Sequence, residues 1–326
     1  RGRNDEQDVV ADSVFRCCDR NAGCRAGASG VLSEPTYAVE NSSGVVYGRG
    51  LSCANVNGTE GCEAMNLLLD VTAPVGAPAG PRPAIIFMHG GGWVGGSAND
   101  SWARASAAFY ASRGFMCFRI KYRLQQDNGS FPTNWKNLIP YATNQELRKL
   151  HGAMRAAVYP ATRDLKAAIR FVRANFARFG VDPERIALAG GSAGAISSIG
   201  AGVIDETDYK NELLATDPTL ATTYLNTSSA VQCVVSHWGA GYAALIVQGN
   251  DPTNRSRYSY KSSPIIEFHG DKDTTVPFGD ALAVEAAYHH ANSSGNLAYE
   301  LHMLAGCAHA VWCAGCGTQC GCAEHT

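Results

Sequence analysis

The sequence predicts an α/β fold built on a mostly parallel, doubly wound sheet with helices on both faces. Short apolar runs typical of buried strands alternate with helix-like segments, and this alternation is typical of parallel sheets. The chain has 326 residues, of which 45% are hydrophobic, so it can form one sizeable core. Because the sequence has no internal repeat and no clear break in composition, we expect a single domain over residues 1–326.

The predicted strands share a short apolar run bounded by polar or glycine-rich turns. In chain order they are Met65–Val71, Pro83–Met88, Phe115–Lys121, Arg185–Ala189, Val231–Ser236, Pro264–Phe268 and Ala298–Leu304. Helices are predicted between these strands. They are Ser101–Ser112, Asp164–Phe179, a helix opening at the small-residue run Ala195–Gly200, and Gly279–Ala291.

Other segments fall outside this alternation. Residues 1–44 are polar and cysteine-rich, and we expect an arm that is linked to the body and covers the mouth of a site. Residues 123–163 form an insertion that we expect to be part of a cap, with a helical stretch at 145–158. Residues 307–326 form a cysteine-rich tail. Two further insertions are expected at 205–229 and 241–263.

Charge and hydropathy exclude several kinds of partner. A formal net charge of −2 gives no sign of nucleic-acid binding or of attraction to an anionic membrane. No stretch approaches the roughly 18 consecutive apolar residues that a membrane-spanning helix needs. The sequence begins at Arg1 without a methionine or an apolar leader, as expected if a leader has been removed. Nothing in the sequence indicates an oligomeric state.

Two glycine-rich motifs follow predicted strands. HGGGW occupies His89–Trp93 after an apolar run, and GGSAG occupies Gly190–Gly194 between a strand and a helix. The second context is the strand–turn–helix setting of a nucleophile elbow, in which a sharp turn strains the serine and the flanking glycines prevent a collision. Although GxSxG also arises by chance in a chain with 35 glycines, this context makes Ser192 the candidate nucleophile.

The remaining catalytic groups are expected downstream. The segment HGDKDTTVP begins at His269 and carries two candidate acids, Asp271 and Asp273, and the loop AGCAHAVW carries His309. A serine hydroxyl needs a base within hydrogen-bond reach, and a carboxylate must orient that base. Serine, then aspartate, then histidine is the chain order of α/β-hydrolases, and loops at strand ends are where open α/β sheets place their chemistry.

These motifs resemble the esterase and lipase branch of the α/β-hydrolase superfamily, in particular small carboxylesterases related to the hormone-sensitive-lipase group. The resemblance extends to Tyr122-Arg-Leu and to Asp164–Val172, and it covers residues 67–312. Gly191 is a departure, because the hormone-sensitive-lipase group usually has an acidic residue just before the serine. GGSAGA is more similar to secreted carboxylesterases and to feruloyl or acetyl-xylan esterases.

The resemblance implies an α/β-hydrolase fold and further site residues. The family pattern places the acid three residues before a Val-Pro pair, which favours Asp273 over Asp271. It also implies that the backbone N–H groups of Gly91, Gly92 and Ala193 form the oxyanion hole.

The other histidines that we consider are expected to have structural roles, and no role is assigned to the tryptophans. By resemblance, His89 supports the glycine loop, and His269 is expected to be structural. The same holds for His289, His290 and His302. Three tryptophans are candidates for the substrate pocket but are not assigned: Trp93, Trp135 and Trp238.

The function implied is that of a secreted serine carboxylesterase, a carboxylic ester hydrolase acting on short-chain or aromatic acyl esters through an acyl-enzyme. The partner would be a small-molecule ester, and neither a cofactor nor a metal is expected. A feruloyl or acetyl-xylan esterase, a lipase or a peptidase would use the same machinery. A non-catalytic binding module on this fold is the alternative of another class.

Twelve cysteines indicate an oxidising compartment. The best single pairing is Cys53–Cys62, whereas Cys117 and Cys233 lie within predicted strands and are expected to be free, buried thiols. The tail residues Cys313, Cys316, Cys320, Cys322 and His325 admit a zinc reading, but disulfides are favoured because only one CxxC is present. Seven glycosylation sequons agree with export from a eukaryotic cell: Asn41, Asn57, Asn99, Asn128, Asn226, Asn254 and Asn292.

Overall fold

A computed structural model describes residues 34–55, 60–78, 80–136, 138, 152–292 and 297–310. These ranges contain an eight-stranded sheet with the strand order β1-β2-β4-β3-β5-β6-β7-β8. The strands are β1 (Ala38–Ser52), β2 (Glu63–Val75), β3 (Arg82–Met88), β4 (Met116–Lys121), β5 (Val181–Gly191), β6 (Cys233–His237), β7 (Ile265–Gly270) and β8 (Tyr299–Leu304).

The sheet is parallel from β4 through β8, and only β2 runs against its neighbours. The longer helices are α1 (Ser101–Ala111), α2 (Gly152–Ala174), α3 (Ala193–Val203), α4 (Tyr242–Asn250) and α5 (Phe278–Ala291). The strand directions confirm the predicted mostly parallel sheet. None of the helices in the described ranges is long and apolar enough to cross a membrane.

Alternate residues of the strands supply two separate cores. On β3, Ile86 and Met88 belong to the larger cluster, which includes residues of α2, α3, α4 and α5. Ile85 and Phe87 point to the opposite face, where they pack in a smaller cluster with Tyr110 of α1. Because side chains alternate along a strand, a continuous apolar run buries both faces, and helices cover both as predicted.

Several boundaries differ from the sequence-based prediction. Residues 38–44 were assigned to the arm, but they open β1, which pairs along its length with β2. As an edge strand with many exposed polar residues, β1 has no apolar run to reveal it. Helix α4 lies inside the predicted insertion at 241–263, and α2 begins inside the insertion at 123–163. Most of the predicted arm and tail lies outside the described residues.

The cysteines follow the prediction in two cases and not in a third. Cys53 and Cys62 form a disulfide, and Cys117 is a free, buried thiol, both as expected. The prediction for Cys233 is wrong, because this residue is disulfide-bonded, as is Cys307. Cys233 is the first residue of β6 and is fully buried, so neither burial nor a place at the end of a strand keeps a thiol free. The predicted tail cysteines from residue 313 onward lie outside the described residues.

Candidate active site

Ser192 occupies the sharp turn between β5 and α3. Its φ of 53° and ψ of −120° lie in a region that residues with a side chain rarely adopt. The turn brings Gly190 and Gly194 against each other, and a Cβ on Gly194 would also overlap the carbonyl oxygen of Met88. The Ser192 N–H donates to the His237 carbonyl oxygen at 2.8 Å, which ties the strained turn to the neighbouring strand.

The structure brings Ser192, His309 and Asp273 together from three strand ends. His309 Nε2 lies 3.0 Å from Ser192 Oγ, and His309 Nδ1 lies 2.7 Å from Asp273 Oδ2. The carboxylate can only accept from Nδ1, so Nε2 of the neutral ring is left to accept the serine proton. The side chain of Asp273 is fully buried and that of His309 is 18% exposed, so the pair is largely shielded from water.

The two candidate acids have different neighbours. Asp273 Oδ1 accepts the N–H groups of Thr275 and Val276 at 2.8 and 2.9 Å, which fixes the carboxylate with its other oxygen toward His309. Asp271 instead accepts the N–H of Gly306 at 2.6 Å. Asp271 therefore ties the two loops together without contacting the imidazole.

The HGGGW loop is fixed to helix α3 by its tryptophan. The Trp93 indole is buried, and its Nε1–H donates to Ser197 Oγ at 3.1 Å. Gly91 has a φ of 104°, and its carbonyl accepts the N–H groups of Val94 and Gly95, which closes the loop into a tight turn. The loop thus has a defined shape directly beside the helix that begins after Ser192.

The predicted oxyanion residues line the same cavity as Ser192. Gly91, Gly92 and Ala193 all contribute to its wall. Ala193 is the first residue of α3, so its N–H has no acceptor within the helix. The positive end of the helix dipole also points to this place, which favours negative charge beside Ser192.

His89 lies behind the glycine loop. Its ring stacks on Tyr122 with 4.3 Å between ring centroids, and the Tyr122 O–H donates to the His89 carbonyl oxygen at 2.9 Å. Burial lowers the pKa of His89, so the ring is neutral at pH 7. These contacts agree with the predicted supporting role of this residue.

A cavity of about 730 Å³ opens in front of Ser192, and aromatic side chains form much of its wall. Trp93, Trp102, Trp238 and Tyr242 all line it. Two of the three candidate tryptophans are thus at the cavity. The third, Trp135, packs in the core instead, where its ring lies 5.3 Å from Tyr159 between centroids.

Sequence reasoning missed several residues of this cavity. Asp100 and Trp102 follow the HGGGW loop closely, and Thr274 and Thr275 lie between the acid and the Val-Pro pair, so proximity to a motif was the available signal. Met154 of α2 gave no such signal, because about sixty residues separate it from the loop that it contacts. Within the described ranges, no group of three or more His, Cys, Asp or Glu side chains is arranged to hold a metal.

Comparison with curated proteins gives relatives named esterase and lipase. The chain is 29% identical over 141 residues to Secreted lipase 5 of Gibberella zeae, covering 42% of this chain and 23% of that protein. It is 33% identical over 148 residues to Esterase LipC of Mycobacterium tuberculosis, covering 45% of this chain and 29% of that protein. The matched part spans less than a third of the length of either relative.

Solved structures with the same architecture include esterase 2 of Thermogutta terrifontis. The form phosphonylated by cyclosarin matches with a TM-score of 0.57 and 24% identity, covering 88% of this chain and 89% of that chain. The propionate-bound form gives a TM-score of 0.55 and 23% identity, covering 85% of each chain. This likeness confirms the predicted α/β-hydrolase fold. A family model described as BD-FAE matches residues 69–139 and 151–258, slightly more than half of the chain.

Proposed function

Since the chain belongs to the BD-FAE family, we propose that it is a secreted serine carboxylesterase that hydrolyses carboxylic esters through an acyl-enzyme. The observation that carries this proposal is the unbroken hydrogen-bonded line from Asp273 through His309 to Ser192 beside the glycine loop. The esterase and lipase names of the curated relatives support the reaction class.

Acylation begins when Ser192 Oγ attacks the ester carbonyl carbon and His309 Nε2 takes the hydroxyl proton. The carbonyl π electrons move to oxygen, and this oxyanion accepts the N–H groups of Ala193, Gly91 and Gly92. Each such donor lowers the barrier by about 3 kcal/mol. Asp273 keeps the imidazolium oriented through Nδ1 and stabilises its charge.

The intermediate then collapses and the ester is cleaved. The C–O bond to the alcohol breaks, and His309 returns its proton to the departing oxygen, which leaves the acyl group on Ser192. A water molecule enters, gives a proton to His309 and attacks the acyl carbon. The second collapse releases the carboxylic acid and returns the proton to Ser192 Oγ, so the protein ends unchanged.

The cavity supports acyl groups that are short or aromatic. Its lining includes the indole side chains of Trp102 and Trp238, on which an apolar or planar acyl group can pack. Feruloyl and acetyl-xylan esterases, lipases and peptidases share the same machinery, and a non-catalytic module would keep the fold without the reaction. The hydrogen bonds that join Ser192 to His309 and His309 to Asp273 favour catalysis over a non-catalytic module.

Secretion is the second part of the proposal. The Cys53–Cys62 disulfide, together with the bonded Cys233 and Cys307, agrees with folding in an oxidising compartment. The name of the Gibberella relative, Secreted lipase 5, supports the same placement. Exposed sequon residues such as Asn99 and Asn254 would accept glycans in that environment.

A substrate panel tests the proposal. We expect hydrolysis of p-nitrophenyl esters with acetyl, butyryl and feruloyl groups, slower hydrolysis of long-chain esters, and no activation at an oil–water interface. Peptide p-nitroanilides test the peptidase alternative. The Ser192→Ala variant, which we expect to retain the fold, serves as the matched control for every substrate. If wild-type and S192A proteins give equal rates on all activated esters, the proposal is wrong.

A further inference from the structure

The strand leading to the Asp273 loop carries a second histidine–carboxylate pair that the mechanism above does not use. Glu267 and His269 lie two residues apart on β7, and neither side chain is exposed. His269 Nδ1 lies 3.0 Å from Glu267 Oε1. On the other edge of the ring, Nε2 lies 2.8 Å from the Val276 carbonyl oxygen and 3.4 Å from Asp273 Oδ2. The ring therefore stands between two carboxylates.

The hydrogen-bond partners determine the charge of this pair. A carbonyl oxygen has no proton to give, so Nε2 of His269 must donate to Val276. Glu267 already accepts the N–H of Gly239 at 3.0 Å and the O–H of Tyr299 at 2.8 Å, as a carboxylate does. Beside an ionised Glu267, the Nδ1 of His269 donates as well, and a ring that donates from both nitrogens is an imidazolium.

The surrounding charges agree with this protonation. Burial alone would lower the pKa of His269, but the hydrogen bond and charge of Glu267, the Val276 carbonyl and the charge of Asp273 raise it overall. The other titratable groups that interact with Glu267 are phenolic: Tyr299 on β8 and Tyr258. Glu285 on α5 acts on Tyr299. Phe278 presents its ring to the imidazole at 5.8 Å between centroids. Within the described ranges, only His309 and His269 place a ring nitrogen within 4 Å of the Asp273 carboxylate.

We propose that His269 is a positioning residue, which as a buried cation between Glu267 and Asp273 holds the acid loop toward His309 and offsets the Asp273 charge. This inference rests on the proposed function. Val276 is the mechanical link, because its N–H donates to Asp273 Oδ1 while its carbonyl accepts from His269. Fixing Val276 therefore fixes both the turn and the direction of the carboxylate.

Removing the cation has a consequence that loss of packing would not produce. In His269→Gln the amide still reaches toward Val276, but the charge is gone, and Glu267 and Asp273 both act on His309 without compensation. The base then holds its proton to higher pH. We expect the acid limb of the kcat/KM profile to move up by about 1 pH unit, because loss of a nearby cation favours the protonated form of His309.

The experiment compares four proteins in their full pH–rate profiles. We expect H269Q to lose about 10- to 100-fold in kcat with KM changed less than about threefold, which is the pattern of a misplaced catalytic group. The double variant H269Q/E267Q removes both charges as a neutral pair, and its acid limb should return close to that of the wild type. His302→Gln is the matched control, because His302 pairs with Glu300 at 2.8 Å on the next strand without touching Asp273.

A nitrogen NMR spectrum of the wild-type histidines gives a readout that needs no activity. We expect one ring with both nitrogens protonated at pH 7 and above, and its signals should be absent from H269Q. A neutral ring at this position, or an acid limb that H269Q leaves in place, would overturn the inference. If the wild type hydrolyses no ester, the proposed function fails instead, and the spectrum still decides the charge of His269.

Discussion

The chain contains two His-Gly pairs at the ends of parallel strands, and their histidines are in opposite states. His89-Gly90 follows β3, where the ring stacks on Tyr122 and burial lowers its pKa. His269-Gly270 ends β7, where two carboxylates raise the pKa of an equally buried ring. The same dipeptide in equivalent places of the fold therefore has the pKa of its histidine lowered in one loop and raised in the other.

The difference follows from what each loop has to hold. The first loop presents backbone N–H groups to a developing negative charge, and a neutral ring packed behind it fixes the loop by stacking and hydrogen bonds. The second loop presents a carboxylate, and a buried carboxylate needs donors and a compensating charge. The neighbours of a motif, rather than its letters, thus decide its chemistry.

The largest expected effect comes from the acid of the second loop. Asp273→Asn should lower kcat by about 10³- to 10⁴-fold, because an amide can donate to Nδ1 and so hold the wrong tautomer of His309. Asp271→Asn is the matched control two residues away, since its amide oxygen can still accept from Gly306. We expect D271N to retain kcat within about threefold. Equal losses in both variants would contradict the assignment of the acid.

A smaller effect is expected behind the first loop. Tyr122→Phe keeps the stacked ring but removes the O–H that donates to the His89 carbonyl, and we expect kcat to fall by about tenfold as the loop loosens. Tyr47→Phe is the control, because the buried Tyr47 O–H also donates to a backbone carbonyl, that of Lys121 at 3.2 Å. Both variants should lose about 1 kcal/mol in free energy of unfolding. If Y47F slows turnover as much as Y122F, the loop-specific role is refuted.

The smallest effect is on the pH dependence of stability, where the two histidines should act in opposite directions. The pKa of His269 is raised in the folded protein, so its contribution to the free energy of unfolding is complete below the pKa of the unfolded chain, about 6.5. That contribution is lost as the pH rises through the pKa of the folded protein. The pKa of His89 is lowered in the folded protein, so its contribution to the free energy of unfolding is complete above the pKa of the unfolded chain, about 6.5. That contribution is lost as the pH falls through the pKa of the folded protein.

Urea unfolding of the wild type and of the variants His89→Asn and H269Q between pH 5 and pH 9 measures this difference. The gap in unfolding free energy between wild type and H269Q should narrow toward alkaline pH. The gap between wild type and H89N should narrow toward acid pH. Gaps that narrow in the same direction for both variants would remove the contrast between the two loops.

Much of the fold could be predicted because buried parallel strands are continuous apolar runs, and seven of the eight strands were found in this way. Strand β1 was not predicted because it is an exposed edge strand. Helix α4 was not predicted because its sequence has no amphipathic pattern strong enough to distinguish it from a loop. Cys233 shows a further limit, since a position within a strand does not exclude a disulfide.

The candidate site was more predictable than the cavity around it. Ser192 and His309 could be placed because the elbow needs small residues at fixed spacing and the triad has a fixed order along the chain. Met154 and the charge of His269 could not, because each depends on contacts between segments distant in sequence or on the sum of several neighbours. The assignment of catalytic and oxyanion roles stays a prediction that experiments on the variants decide.

The most direct measurement treats the full chain with a fluorophosphonate and locates the adduct by mass spectrometry. A fluorophosphonate reacts with a serine that a neighbouring base activates, which is the role proposed for Ser192 and His309. We predict one adduct per chain, on the peptide that contains Ser192, with none on S192A. An adduct on another residue, or equal labelling of the S192A protein, would contradict the assignment of Ser192 as the nucleophile.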